Sequence, residues 1–152
     1  MADAKLSHVD GAGRASMVDV SAKPRVRRTA RAAGRIELAP ETVALVRANA
    51  LAKGDVLATA RIAGIMAAKR TAELVPLCHN VEIEHVGVEL VLDGGGVAIE
   101  ATASCTDKTG IEMEALTAVS VAALTVYDMC KAVDKNMRIG EILLLEKTKE
   151  VS

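Results

Sequence analysis

The chain has 152 residues, enough for one domain with a real core; 51% of them are hydrophobic but only 1% aromatic, with no Phe, no Trp and Tyr127 as the single Tyr. A formal net charge of −1 gives no overall field toward nucleic acid or an anionic membrane. The apolar runs fall short of the roughly 20 residues a membrane span needs, and MADAKLSHVD lacks the apolar segment of a signal peptide, so the expected compartment is the cytoplasm.

Cys78, Cys105 and Cys130 have no CxxC spacing, which argues against a disulfide framework or a structural zinc; Cys105 and Cys130 read as small core residues. A core of Ala, Val, Leu, Ile and Met buries little area per residue, which predicts that elements also pack against other copies of the chain.

Residues 1–24 read as an extended arm, with a short alternating stretch at Met17 to Val20 as an edge-strand candidate. Residues 25–152 read as one domain. RVRRTARAAGRIEL, Arg25 to Leu38, predicts a strand with Arg25, Arg27, Arg28, Arg31 and Arg35 along it. Those arginines fit a solvated edge that resists aggregation, or a surface facing an anion. Pro40, Glu41 and Thr42 open a helix through ETVALVRANALA that stops at Lys53-Gly54. Lys53 reads as a partner of a helix dipole unless an anion lies near.

Asp55 caps a second helix, Val56 to Val75, closed by Pro76. The loop Pro76–Asn80 follows, a place where functional side chains are often displayed. His79 is a candidate general acid or base, since histidine as a residue type changes charge near neutrality, though a lone loop His is more often structural, and adjacency alone does not make Cys78 and His79 a nucleophilic pair. Val81 to Leu92 alternates as a half-buried strand, Asp93–Gly96 is a hairpin turn, and Val97 to Cys105 returns. No helix follows the three glycines, which argues against a phosphate loop. Met137 to Leu145 is the last strand, with Lys147 and Lys149 in the tail.

KTGIEMEALTAVSVAALTVYDMCKAVDK, Lys108 to Lys135, predicts one long helix. Thr109 and Glu112 have capping-box spacing, and from Ala115 to Val126 nearly every position is apolar or small, so no face is reserved for water. Asp128 and Lys131 are neighbours at the far end, either a solvated terminus or a site. Glu112 and Glu114 are first-turn acids or ligands. At 1.5 Å per residue Glu114 and Asp128 on one straight helix stand about 21 Å apart, too far to serve one reacting atom, so a pocket lined by both takes them from different copies of the chain or grips opposite ends of a long substrate. The order β, helical segment, β, β, α, β gives an α+β class: a ferredoxin-like split βαβ sandwich, an antiparallel sheet with helices on one face.

That stretch, with MVDVSAKP, KGDVLATARIAGIMAAKRT and LCH, resembles the cyclic pyranopterin monophosphate synthases, the C-protein family of molybdenum cofactor biosynthesis, from about residue 6 to 147. The resemblance implies a lyase that rearranges 3′,8-cyclo-7,8-dihydroguanosine triphosphate to cyclic pyranopterin monophosphate and releases pyrophosphate. It also implies a homohexamer, a trimer of dimers, with active sites between subunits. It carries a catalytic role to Asp128 and Lys131. Substrate contacts fall on Leu77, Cys78, His79, Glu112, Met113, Glu114, Lys53 and Lys147. No cofactor is implied; Mg²⁺ can accompany the triphosphate, but the sequence offers no dedicated metal cage. One departure is Asn80, where many members carry Pro, which frees the loop behind His79.

Two other function classes stand against this. Fold alone also admits a ligand-binding regulatory module. Nucleic-acid binding through Arg25 to Arg35 would lack aromatic stacking partners.

Overall fold

The computed structural model describes residues 6–151; residues 1–5 of the arm and Ser152 lie outside the described residues. Four strands, β1 (Val26–Glu37), β2 (Ile83–Asp93), β3 (Gly96–Asp107) and β4 (Arg138–Glu150), form one sheet in the order β2-β3-β1-β4. Every neighbouring pair is antiparallel. The helices are α1 (Pro40–Arg47), α2 (Val56–Ala68), the single turn α3 (Thr71–Leu74) and α4 (Glu112–Cys130). This is the expected α+β, ferredoxin-like arrangement, with α4 lying across β1 and β3 and α2 packed on α4 and β2.

Small residues make that packing close. Along β1, Ala30, Ala32, Gly34 and Ile36 alternate inward. A side chain at Gly34 would stand 2.6 Å from Val119 of α4, and one at Gly64 of α2 would stand 2.8 Å from the Ala118 carbonyl oxygen. The sequence thus trades aromatic bulk for short distances between backbones. Dispersion contacts multiply at such distances, which offsets the small area each Ala or Val contributes.

Several elements differ from the sequence reading. α4 begins at Glu112, and its N-cap, Ile111, offers no side-chain bond, so the Thr109 capping box does not form. Helical geometry ends at Cys130, with Lys131 as C-cap. The helix expected from Val56 to Val75 breaks at Lys69–Arg70 into α2 and α3, while Asp55 caps α2 as expected, accepting from the Ala58 amide at 3.0 Å. Met17 to Val20 forms no strand. β4 continues to Glu150, because the ladder with β1 runs on from Arg31 to Arg27.

β1 is an inner strand between β3 and β4, so its arginines do not guard an edge. Each has a partner. Arg31 lies between Glu100 and Glu146, Arg35 grips Asp93 at 2.7 and 2.8 Å, Arg27 faces Glu150, Arg25 reaches Glu82 and the Thr106 carbonyl, and Arg28 donates to the carbonyls of Asp107 and Lys108. The Asp93 end of that grip pins the hairpin, whose Gly96 takes a positive φ of 153° where a Cβ would collide with the Ile36 carbonyl.

By length and composition α4, with 19 residues and a mean hydropathy of 1.3, could cross a membrane. Here it is the core helix. Ala115, Ala118, Val119, Ala122, Ala123 and Val126 are fully buried.

Candidate functional site

The site residues predicted from sequence separate into two groups at opposite ends of α4. At the carboxyl end, Asp128 stands between two lysines: Lys131 Nζ lies 2.7 Å from Oδ1 and Lys53 Nζ 2.8 Å from Oδ2. The i, i+3 spacing on the last turn brings Lys131 there. Lys53 arrives from the turn between α1 and α2, where Gly54 takes a φ of 93°, and it also reaches the Asp128 carbonyl oxygen at 3.4 Å. It therefore serves both the helix end and the carboxylate. Hydrogen bonds from Lys131 and Lys53 hold the Asp128 carboxyl down to about 2, and the same contact raises Lys131. All three side chains are about half exposed.

Behind this triad Asp134, 5% exposed, fixes the turn that follows α4. Its Oδ2 accepts from the Ala39 amide at 2.9 Å and its Oδ1 from the Asn136 amide at 3.2 Å. Ala39 is the N-cap of α1 and has no side-chain oxygen, so Asp134 takes up a helix-start donor from another element. Burial pushes its carboxyl up, but the Ala39 amide, the Thr42 hydroxyl and the Asn136 amide outweigh this and hold it below the usual range.

At the amino end of α4 a cleft of about 480 Å³ is walled by Leu77, Cys78 and His79 on one side and Glu112 and Met113 on the other. Lys147 of β4 meets Glu112 Oε1 at 3.2 Å and lines a smaller adjoining hollow of about 200 Å³. Seven of the predicted contacts thus gather around this end, counting Glu114 beneath it.

Glu114 is 3% exposed, and its Oε2 has no hydrogen-bond partner among the described residues. Burial pushes its carboxyl up to about 7, its own backbone amide works against this, and the Glu112 charge adds to it. The group is therefore poised between acid and carboxylate near neutral pH.

Cys78 and His79 are not paired with each other among the described residues. The Cys78 thiol is pushed up by burial and then by Glu114 and Glu112, which favours the inert thiol over the thiolate. His79 Nε2 lies 2.6 Å from the Val18 carbonyl oxygen. A carbonyl only accepts, so Nε2 carries the proton and Nδ1 is the nitrogen left for other chemistry.

Sequence reasoning missed the arm's part in this cleft, where His8, Val18, Val20 and Lys23 complete the wall. The apolar pair Val18 and Val20 was the available signal, but it also fits a strand.

An antiparallel four-stranded sheet with a core helix that presents charged clusters at both ends defines a small α+β protein. The comparisons place it more narrowly. The MoaC family profile matches residues 17–150, so the chain belongs to the MoaC family. It is 58% identical over 145 residues to the cyclic pyranopterin monophosphate synthase of Chloroflexus aggregans, covering 94% of this chain and 88% of that protein. It is 55% identical over 150 residues to the protein of the same name from Parvibaculum lavamentivorans, covering 97% and 94%. It also matches the Drosophila melanogaster molybdenum cofactor biosynthesis protein 1, 55% identical over 146 residues, covering 95% of this chain and 26% of that longer protein.

Proposed function

We propose that the chain is a cyclic pyranopterin monophosphate synthase, a lyase of molybdenum cofactor biosynthesis that converts 3′,8-cyclo-7,8-dihydroguanosine triphosphate to cyclic pyranopterin monophosphate and pyrophosphate. The observation that carries the chemistry is Asp128 clasped between Lys53 and Lys131 at 2.8 and 2.7 Å. Opening the purine-derived ring and rebuilding it as a pterin call for proton transfers at carbon, nitrogen and hydroxyl groups. With its carboxyl held near 2, Asp128 stays a carboxylate and holds a cationic partner or a developing positive charge. Its two lysines rest as ammonium ions, and the triad has one positive charge in excess. A triphosphate is drawn to that charge, and the pyrophosphate leaving group is stabilised by it as the cyclic phosphate closes. Mg²⁺ would accompany the triphosphate as its counter-ion.

The cleft at the other end of α4 binds the rest of the substrate. Glu114, poised near 7, can offer a hydrogen bond as the acid or accept one as the carboxylate. About 21 Å of helix separates Glu114 from Asp128, which supports a working pocket that takes one end of α4 from each of two protomers over one long substrate gripped at both ends of a single helix. A homohexamer, a trimer of dimers, supplies that juxtaposition. Apolar surface supports the assembly: Ile142, Leu143 and Leu145 on edge strand β4, Ile62 and Met66 on α2, and Leu124 on α4 are all exposed in the single chain. Such an enzyme works in the cytoplasm.

Mixing the purified protein with the cyclic dihydroguanosine triphosphate and following pterin and pyrophosphate tests the reading. Both products appear if it holds, and neither appears if the chain only binds.

A further inference from the structure

The two lysines that hold Asp128 reach it by different routes. Lys131 follows on the same helix, and the last turn of α4 fixes its place. Lys53 lies 75 residues away in sequence, and its part of the chain has to be seated against the end of α4.

That part of the chain is folded by its own bonds. α1 passes into the turn through the Ala50 amide on the Leu45 carbonyl at 2.9 Å and the Asn49 amide on the Val46 carbonyl at 3.1 Å, and the Gly54 amide closes on the Leu51 carbonyl at 3.0 Å. Its shape is therefore set locally, whereas its position is set elsewhere. α1 is the least packed of the longer helices: beyond Val43 and Val46, which are buried, it meets β2 lightly, whereas α2 lies along α4. At the start of α1, Asp134 takes the Ala39 amide at 2.9 Å, and the Thr42 hydroxyl faces the same carboxylate. Both side chains are buried.

These contacts close a ring. From Asp128 the chain runs on to Asp134, crosses to Ala39, follows α1 and its turn to Lys53, and returns through the ammonium to the Asp128 carboxylate at 2.8 Å. A ring held at one point costs less entropy to close at the other, because its ends are already near each other.

We propose that Asp134 is a positioning residue for Lys53: by holding the start of α1 on the turn after α4, it carries the Lys53 ammonium onto Asp128. It acts through α1 and not on the reacting groups. The synthase reading gives this positioning its use in turnover, and nothing else in the inference rests on it.

Ala39→Pro removes the amide that Asp134 holds and leaves the backbone in place, since Ala39 already has a φ of −62° and a ψ of 150°, which proline adopts. Zero-length carbodiimide coupling of the full chain, followed by peptide mass spectrometry, reads whether an ammonium and a carboxylate touch. In the wild type Asp128 should couple to both lysines. In Ala39→Pro the Lys53 product should fall at least about threefold relative to the Lys131 product, and kcat by a similar factor. The melting temperature should stay within about 5 °C of wild type, because proline at a compatible site stiffens the unfolded chain and offsets the lost bond. Thr42→Val should move the same ratio less, and Thr42→Ser should leave it at the wild-type value. An unchanged ratio in Ala39→Pro would overturn the inference. Should Ala39→Pro not fold, the same ratio in Asp134→Ala decides in its place. Should the ratio fall as expected in a chain that makes no pterin, the synthase reading falls and the positioning stands.

Discussion

The two ends of α4 each carry a carboxylate, and the surroundings drive them in opposite directions. Asp128 sits half exposed at the carboxyl end, and two lysines within 2.8 Å hold it down to about 2. Glu114 sits buried in the first turn with one oxygen unpartnered, and burial pushes it up to about 7. Partner charges decide the first case, and loss of water decides the second. One end of the helix therefore offers a permanent anion between cations. The other offers a group whose proton is exchangeable near neutral pH. A reaction that moves several protons and expels pyrophosphate has use for both, one for charge and one for exchange.

Removing the charge at the carboxyl end tests the contrast most severely. Asp128→Asn should lower kcat by about a hundredfold or more, because the charge that orients the Lys53 and Lys131 ammonium groups is lost. Its melting temperature should shift little, because the side chain is half exposed. Loss of activity together with loss of fold would instead make Asp128 a structural residue.

The amino end should show itself in stability rather than in charge pairing. Glu114 has a folded pKa of about 7 against an ordinary 4.5, so its contribution is fully present below pH 4.5 and is lost as pH rises through about 7. Buried as it is, the loss amounts to about 3 kcal/mol between those limits. Glu114→Gln should remove this slope, and denaturant melts at pH 5 and pH 8 would show it. An unchanged slope in the variant would mean that another group carries the dependence.

Asp134 offers the converse of Glu114, a buried carboxylate whose oxygens both accept bonds. Asp134→Ala should cost about 1–3 kcal/mol by orphaning the Ala39 amide. The activity of whatever folds should fall too, since the turn behind Lys131 loosens. The smallest effect belongs to the exposed pair Glu112–Lys147, where Lys147→Ala should change stability by less than about 1 kcal/mol and act mainly on KM.

Much of this was legible in the chain. The alternation of β2 and β3, the Asp93 to Gly96 turn, the small-residue interior of α4 and the Asp128–Lys131 neighbours follow from local periodicity, which depends on nothing distant. The misses share a cause. Thr109 was a plausible cap, but α4 starts three residues later, so its hydroxyl is in no position to serve the helix start. Glu114 resembles any first-turn acid until the sheet covers it. β1 reads as a charged edge strand because the acids that neutralise Arg31 lie about 70 and 115 residues away, in β3 and β4. No window on the sequence contains the Val18 carbonyl that holds His79, since every residue has a carbonyl. Local patterns fixed the elements; the electrostatics of the site were written by long-range neighbours.

If opposite ends of α4 from two protomers make one working pocket, as proposed, two variants each spoiled at one end should complement each other. Asp128→Asn spoils only the carboxyl end and His79→Ala only the amino end. Co-expressed and purified as mixed assemblies, they should regain about one quarter of the wild-type rate, the chance that a pocket draws both intact ends from a random mixture. Mixed assemblies that form and remain as inactive as either variant alone would mean that each pocket is built within one protomer.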